Sequence, residues 1–538
     1  MKKLYSAFFM FCFLWNAASA QTLSNSNLPI IILDTYGQTI VDDPRITIGV
    51  KIIDNGFGFI NNVNDTPNVY DGEVSIEIRG STSQQYPKKA YAFETQDSVG
   101  NNLNVSLLGM PQENDWIFYA PYPDKTLLRN SMAFYLWRRM GHYASRTQHA
   151  EMVRNGDYRG VYELHEKIKR DNDRVDIAKL TPADTIGDEL TGGYIIKIDK
   201  TTGSGTLQWN SPINNNVYFQ FHDPEDTELL PVQRYYIESY VSTFETVLNS
   251  TWFANTDSGY SKYIDVNSFI DYMIMQELGR TVDGYRSSCF FYKDKDSKGG
   301  KITMGPLWDF NLSYGNANYC QAYSNTGYQY NYNSICTPNG PSVPFWWAKL
   351  LSDPFYANQL KCRWNELRQG MLHTDSINQW IDSAAYYLND AQQRNFTKWP
   401  ILGVYVNWNN YIGQTFSDEI NYLKSWIEDR SVWLDANWPG ACNVNIENIP
   451  ASNAMIHVYP NPSNQFVFIH FMHSFSKEGL QLYLFDLNGR LIDQPSTKLD
   501  AQSNEWYFDV SKIQSGMYLL QVQNKFGQKA HRKLIVQQ

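Results

Sequence analysis

The chain has 538 residues, enough for more than one hydrophobic core. Its 45 basic and 55 acidic side chains leave a formal charge of −10, which argues against a general nucleic-acid binder because such proteins need a basic footprint. Aromatic residues make up 15 %, a share that serves cores as readily as sugar- or peptide-binding surfaces.

Lys2 and Lys3, an apolar run over residues 5–15 and the small-x-small sequence Ala18-Ser19-Ala20 predict a signal peptide over residues 1–20, with the mature chain starting near Gln21. The run falls short of the ~20 residues a membrane span needs, and no later segment is apolar over that length. Export to an oxidising compartment lets cysteines pair. Cys289, Cys320, Cys336, Cys362 and Cys442 follow the signal, so one is left over. Cys320 and Cys336 flank a Tyr/Asn-rich stretch, which predicts a local bridge. No Cys/His spacing points to zinc.

Residues 28–33 and 46–53 read as strands, and residues 74–78 alternate apolar and polar as a half-buried strand does. Residues 89–93 look like its partner across a Ser/Gln/Pro-bearing loop. Residues 127–140 have helical spacing, with Leu128, Met132, Tyr135, Leu136 and Met140 as the buried stripe and Gly141 as the stop. Residues 152–164 read as a hairpin turning at Asn155-Gly156, and residues 193–198 as a further strand. Residues 231–281 are helical in pattern. A strand pair at 289–293 and 301–304 follows, and residues 345–440 are again helical. Residues 443–454 form a polar linker. Beyond it, short alternating strands at 456–459, 466–469, 481–485, 517–522 and 532–536 predict a small β-sandwich, with turns at Pro460-Asn461-Pro462 and Asn488-Gly489. The class is therefore α+β over residues 21–442, followed by an all-β domain over 455–538.

Three segments could carry chemistry. The first, residues 79–89, is a Gly/Ser-rich turn between strands. Gly80, Ser81 and Ser83 can turn backbone N–H groups toward phosphate oxygens, and Lys88 or Lys89 can add a point charge. A plain hairpin with a solvated lysine pair reads the same way. The second places Asp283 in a loop after a helix, suited to deprotonate a hydroxyl, though an Asp before Gly is also an ordinary turn residue. The third places Asp309 at a strand end beside Phe310, as a hard-oxygen ligand for Mg²⁺ or as a buried acid bonded to backbone.

The order of these parts follows the protein-kinase plan. More specifically, the chain resembles the CotH family of secreted and spore-coat kinases over residues 70–430. The resemblance is carried by Leu128-Arg129-Asn130, Asn155-Gly156-Asp157-Tyr158-Arg159-Gly160, Gly192-Gly193-Tyr194, Asp283-Gly284-Tyr285 and Trp308-Asp309-Phe310-Asn311. It implies an atypical protein-kinase-like two-lobed domain that binds ATP and Mg²⁺. Lys88 or Lys89 would meet the phosphates, and adjacent strand residues face opposite sides, so one of the two serves. Glu166 would lie near the nucleotide or tether that lysine, or be a surface acid in the charged run 166–170. Asp283 would be the base and Asp309 the metal ligand. Where kinases place a metal-binding Asn five residues after the base, this chain has Ser288; Asn311, in Asp-Phe-Asn, stands where Gly is usual and can supply an oxygen.

Residues 455–538 resemble the type A sorting domain of type IX secretion. The matching stretches are Val458-Tyr459-Pro460-Asn461-Pro462, Leu484-Phe485-Asp486-Leu487-Asn488-Gly489-Arg490, Gly516-Met517-Tyr518 and Lys533-Leu534-Ile535-Val536. This implies a secreted or cell-surface destination and contact with the type IX machinery. The expected activity is transfer of the ATP γ-phosphoryl group to a protein hydroxyl. The rival readings are an inactive kinase fold used for binding or structure, and a glycosidase working through paired carboxylates.

Overall fold

The computed structural model describes residues 21–200, 207–336 and 340–442, and then 456–471, 478–486, 491–493, 495–496, 498–500, 505–525 and 529–538. The expected signal peptide and linker lie outside the described residues. The chain divides into two compact units, residues 1–442 and 443–538.

The first unit opens with seven strands: β1 (Ile30–Asp34), β2 (Ile46–Ile53), β3 (Tyr70–Arg79), β4 (Ala90–Gln96), β5 (Asp115–Tyr119), β6 (Thr147–Arg154) and β7 (Asp157–Glu166). They close into a barrel in the order β1-β2-β3-β4-β5-β7-β6, and the parallel pairing of β1 with β6 (Ile30 beside Glu151) completes it. Closure removes the exposed strand edges that an open sheet would offer. Alternate residues such as Ile31, Leu33, Val74, Ile76, Phe93, Trp116, Phe118 and Leu164 fill the interior. The β6–β7 hairpin turns at Asn155 and Gly156, both with positive φ (51° and 78°), as the Asn-Gly sequence predicts.

Helix α1 (Arg129–Arg139) lies between β5 and β6 in the chain. The sequence pattern predicts one buried stripe; instead Arg129, Asn130, Ser131, Phe134 and Trp137 are buried as well, and Tyr135 is only half-buried. The reason is location: α1 enters the large core shared with the later sheet and helices, so only Tyr135 and its last turn reach solvent.

A second, antiparallel sheet follows: β8 (Tyr194–Ile198), β9 (Gln208–Asn210), β10 (Tyr218–Asp223), β11 (Cys289–Lys293) and β12 (Ile302–Met304), ordered β9-β10-β8-β11-β12. The helices around it are α2 (Pro231–Leu248), α3 (Val266–Gly279), α4 (Trp346–Leu351), α5 (Pro354–Arg368), α6 (Thr374–Tyr387), α7 (Asn389–Lys398) and α8 (Phe416–Asn437). Ile198 pairs with Cys289 and Met304 with Phe291. The exit of β8, the entry to β11 and the exit of β12 thus share one edge of the sheet.

Cys320–Cys336 is a disulfide, as predicted. Cys362–Cys442, which the sequence did not single out, ties α5 to the residues after α8, and Cys289 is the buried free thiol. Among the described residues no helix is long and apolar enough to cross a membrane.

Among the described residues the second unit has eight strands in two four-stranded sheets. One is β13 (Ile456–Tyr459), β14 (Phe466–Phe471), β18 (Glu505–Asp509) and β17 (Lys498–Asp500); the other is β16 (Leu491–Asp493), β15 (Gln481–Phe485), β19 (Gly516–Gln523) and β20 (Lys529–Val536). Val458, Ile469, Leu484, Leu520 and Leu534 join one core drawn from both sheets. The sequence missed β16, β17 and β18. Leu491, Ile492 and Leu499 in the first two are exposed, so those strands carry no inward–outward signal. Of the two expected turns, Asn461 bonds the backbone of Lys533 and Ile535, whereas Asn488-Gly489 lies outside the described residues.

One buried ion pair ties the helical part together. Glu277 near the end of α3 and Arg430 in α8 are fully buried and 3.1 Å apart. Glu277 also accepts the N–H groups of Gln329 (2.7 Å) and Tyr330 (2.9 Å) and the Tyr285 hydroxyl (3.0 Å). Arg430 donates to the carbonyls of Glu277 and Gly327, each at 2.7 Å. Burial pushes the Glu277 carboxyl up and the Arg430 guanidinium down to about 10, both toward neutrality, and each partner opposes the other's shift. Glu277→Ala strands the guanidinium and is expected to cost about 3–5 kcal/mol, read as a lower urea midpoint. A loss under about 1 kcal/mol, the scale of an exposed pair, contradicts the assignment.

Candidate functional site

Asp283 sits just past α3, whose last turn ends with Arg280 in the left-handed region (φ 43°). Residues 281–288 then coil tightly, with the Arg286 and Ser287 N–H groups on the Asp283 carbonyl at 3.2 and 2.9 Å. A Cβ at Gly284 would meet the Gln276 side-chain oxygen at 2.2 Å, so a larger residue there would have to displace that side chain. The Asp283 side chain is 29 % exposed and paired with Arg286 Nη2 at 3.1 Å. Arg286 is itself fixed by the carbonyls of Val282 (3.2 Å) and Pro341 (3.1 Å) and by the Tyr332 ring, 4.2 Å below its guanidinium. Tyr332 lies inside the Cys320–Cys336 loop, its hydroxyl 3.5 Å from the Cys320 sulfur.

Asp309 follows β12 and adopts φ 64°, a conformation rare for a residue with a Cβ. Phe310 behind it is fully buried, and its N–H donates to Asn130 Oδ1 of α1 at 2.7 Å. The apolar neighbour thus anchors the acid. Asp199, just past β8, comes to the same sheet edge.

The charges of these acids are felt mutually. The Asp309 carboxyl is pushed up to about 7, first by burial and then by Asp283 and Asp199; Lys200 and Arg79 oppose the rise. Asp283 is also pushed up, by burial and by Asp199, against Arg286 and Lys200. Arg79, at the end of β3, lies over the Trp308 ring at 5.4 Å. The charges of Asp283, Asp199, Lys200 and Arg79 therefore all reach the Asp309 carboxyl. Asp199, Lys200 and Arg79 were not picked out from the sequence, although each is a charged residue at a strand end. Among the described residues no three or more His, Cys, Asp or Glu side chains form a ready-made metal cage. Mg²⁺ carried by a nucleotide needs only one or two carboxylates beside the phosphates and water, so this donor set fits it.

The remaining predicted residues are placed as follows. Gly80 has φ 107°, and a Cβ there would lie 2.0 Å from Ser83 Oγ, so the loop after Arg79 needs glycine. Ser81 is exposed at its bend, and Ser83 lies in the short turn Thr82–Gln85. Lys88 points into the protein: its ammonium bonds the Val161 carbonyl and, at 2.9 Å, Asn395 Oδ1 of α7. Burial draws its pKa down to about 7. Lys89 donates to the Gln84 carbonyl of its own loop. Both lysines are thus spent on holding the loop and the barrel. Glu166 is fully buried and held by Arg146 (2.7 Å to Nη1, 2.9 Å to the backbone N–H) and the Tyr143 hydroxyl (3.2 Å); it tethers neither lysine. The acid whose charge reaches Lys88 is Glu163. Ser288 takes φ 50° at the entry to β11, and the Asn311 carbonyl accepts from Asn316 at 2.7 Å.

Two expectations follow. Lys88→Ala leaves Val161 and Asn395 without a donor and opens a cavity, so it costs about 2–4 kcal/mol in urea unfolding, whereas Lys89→Ala stays within about 1 kcal/mol. Replacing Cys320 and Cys336 by Ser speeds amide exchange across residues 281–288, and replacing Cys362 and Cys442 does not. Equal protection in the two double variants contradicts the Tyr332–Arg286 link.

The family model for the CotH kinase protein matches residues 76–434, and that for the secretion system C-terminal sorting domain matches residues 457–537. No curated protein matches the chain significantly. The sorting domain implies contact with the secretion machinery and export to the surface or the medium. With two thirds of its length covered by the first match, the chain belongs to the CotH kinase protein family and ends in a type IX secretion sorting domain.

Proposed function

We propose that this is an exported protein kinase that moves the γ-phosphoryl group of ATP to a Ser or Thr hydroxyl, with residues 1–20 as its removable signal peptide. The barrel and the helical part with the second sheet act as the two lobes of a kinase-like domain. The observation that carries the reading is that Asp309 is buried where the charges of Asp283, Asp199, Lys200 and Arg79 all reach it. Bound Mg²⁺–ATP supplies the phosphoryl group and a cation to neutralise its oxygens. Asp309 holds that cation, with Asp199, Asn311 or Ser288 completing the oxygens. Arg79 and Lys200 take the phosphate charge that the sequence assigned to Lys88 or Lys89. Asp283 accepts the proton of the acceptor hydroxyl as its oxygen bonds phosphorus and the bridge to ADP breaks; Arg286 orients that carboxylate.

A second reading, a kinase fold kept for binding, is favoured by the same Arg286 pair, because an acid already neutralised by a guanidinium is a weaker base. Labelled-ATP transfer by the mature chain with Mg²⁺ separates the two. Asp309→Asn and Arg79→Ala are each expected to lower kcat/KM by about 10²–10³-fold, with no fall in the urea midpoint of Asp309→Asn. Equal activity in wild type and Asp309→Asn ends the phosphotransfer reading.

The pH dependence has a fixed sign. Since Asp309 is raised from 3.8 to about 7, the folded chain binds more protons than the unfolded chain between those values, and this group's contribution to stability falls as pH rises through that window. A cation must displace that proton. Mg²⁺ is therefore expected to raise the melting midpoint more at about pH 8 than at about pH 5.5, and Asp309→Asn to abolish the difference. A shift independent of pH removes Asp309 from the cation site.

A further inference from the structure

A cavity of about 290 Å³ opens beside the loop that follows Arg79. Tyr86 and Tyr122 of the barrel side form one wall, with rings 5.3 Å apart, and Ile401, Val404, Tyr405 and Val406 of the segment after α7 form the other. The Tyr86 hydroxyl donates to the Asn407 carbonyl at 3.1 Å and pins loop and segment together. No charged side chain lines the cavity. It sits at the low end of ligand-pocket sizes, the room of one large side chain and less than a nucleotide needs.

Its position is informative. Tyr86 feels the charge of Asp309. Trp408, next after the lining segment, packs on Tyr319 with ring centroids 5.1 Å apart, and Tyr319 feels both Asp283 and Asp309. Asn318 also donates to the Tyr405 hydroxyl at 3.0 Å. The cavity thus adjoins the two acids through tyrosines, whereas Arg79 packs on Trp308 and Lys200 follows β8. Polar phosphate groups find no cation in it, and an apolar or aromatic side chain finds three tyrosine rings.

We propose that this cavity is the acceptor-side specificity pocket: it takes a bulky apolar or aromatic side chain lying near the phosphorylated Ser or Thr in a polypeptide acceptor. The assignment rests on the phosphotransfer reading. Val404 is 49 % exposed at the rim, so Val404→Glu places a charge in the cavity while keeping the backbone carbonyl that holds Lys125 at 2.7 Å.

The test uses the mature chain, Mg²⁺, labelled ATP and a positional-scanning peptide library with central Ser or Thr. Peptides bearing Phe, Tyr, Leu or Ile near the hydroxyl are expected to exceed Ala or Asp peptides by about tenfold in kcat/KM, or about 1.4 kcal/mol. Val404→Glu removes that preference by raising the peptide KM, leaves the KM for ATP unchanged, and the distant Tyr386→Ala retains it. A second arm measures binding of the same library without nucleotide, with and without adenosine. Transfer without the bulky-residue preference, or a preference that survives Val404→Glu, overturns the pocket and spares the phosphotransfer reading. Retention of aromatic peptides with no transfer overturns the phosphotransfer reading, and with it the acceptor role. Displacement of those peptides by adenosine assigns the cavity to the nucleobase and overturns the proposal.

Discussion

The helical part depends on one buried pair, Glu277 with Arg430. It gathers α3, α8 and the segment around Gly327 and Gln329 through charge-assisted bonds that have no water to compete with. Glu277 lies a few residues before Asp283, and through the Tyr285 hydroxyl it also grips the turn that presents that acid. The cost of dehydrating both ions is offset by the further hydrogen bonds each makes, to the backbone of Gln329, Tyr330, Gly327 and Asn325 and to the Tyr285 hydroxyl. A site built from loops is positioned this way by a rigid scaffold.

Burial first, and then the charges of Asp283 and Asp199 acting through space, lift the Asp309 carboxyl toward neutral pH. The backbone around these acids is anchored: Phe310 is packed and bonded to α1, and Ile198 and Cys289, next to Asp199 and Ser288, are paired. Lys200 and Arg79 limit the rise of the Asp309 carboxyl, and Arg286 and Lys200 limit that of Asp283.

Export and structure agree. Both disulfides lie in the helical half, one beside the Asp283 turn and one closing the end of α8 against α5. An oxidising destination, implied by the sorting domain, is where such bridges persist. The barrel has no bridge among its described residues and closes by strand pairing instead.

Most barrel strands, the strand pair around residues 289–304, the Asn-Gly hairpin, the Cys320–Cys336 bridge, the α+β order, the family and the sorting domain were legible in the amino-acid sequence, whereas the strands Asp115–Tyr119, Gln208–Asn210 and Tyr218–Asp223 were not. The legible features rest on local periodicity, turn chemistry and contiguous motifs. Asp283 and Asp309 stood out for the same reason: each has a recognisable neighbourhood. What the sequence could not decide was partnership. Lys88 and Glu166 have the residue types of a nucleotide site, yet Asn395, lying 307 residues beyond Lys88, claims the lysine, and Arg146 claims the acid. Arg79, Asp199 and Lys200 have no motif, and they meet the other acids only because barrel edge and sheet edge are folded against one core. Burial and charge act through space, and the distances that set them are fixed only when the chain has packed.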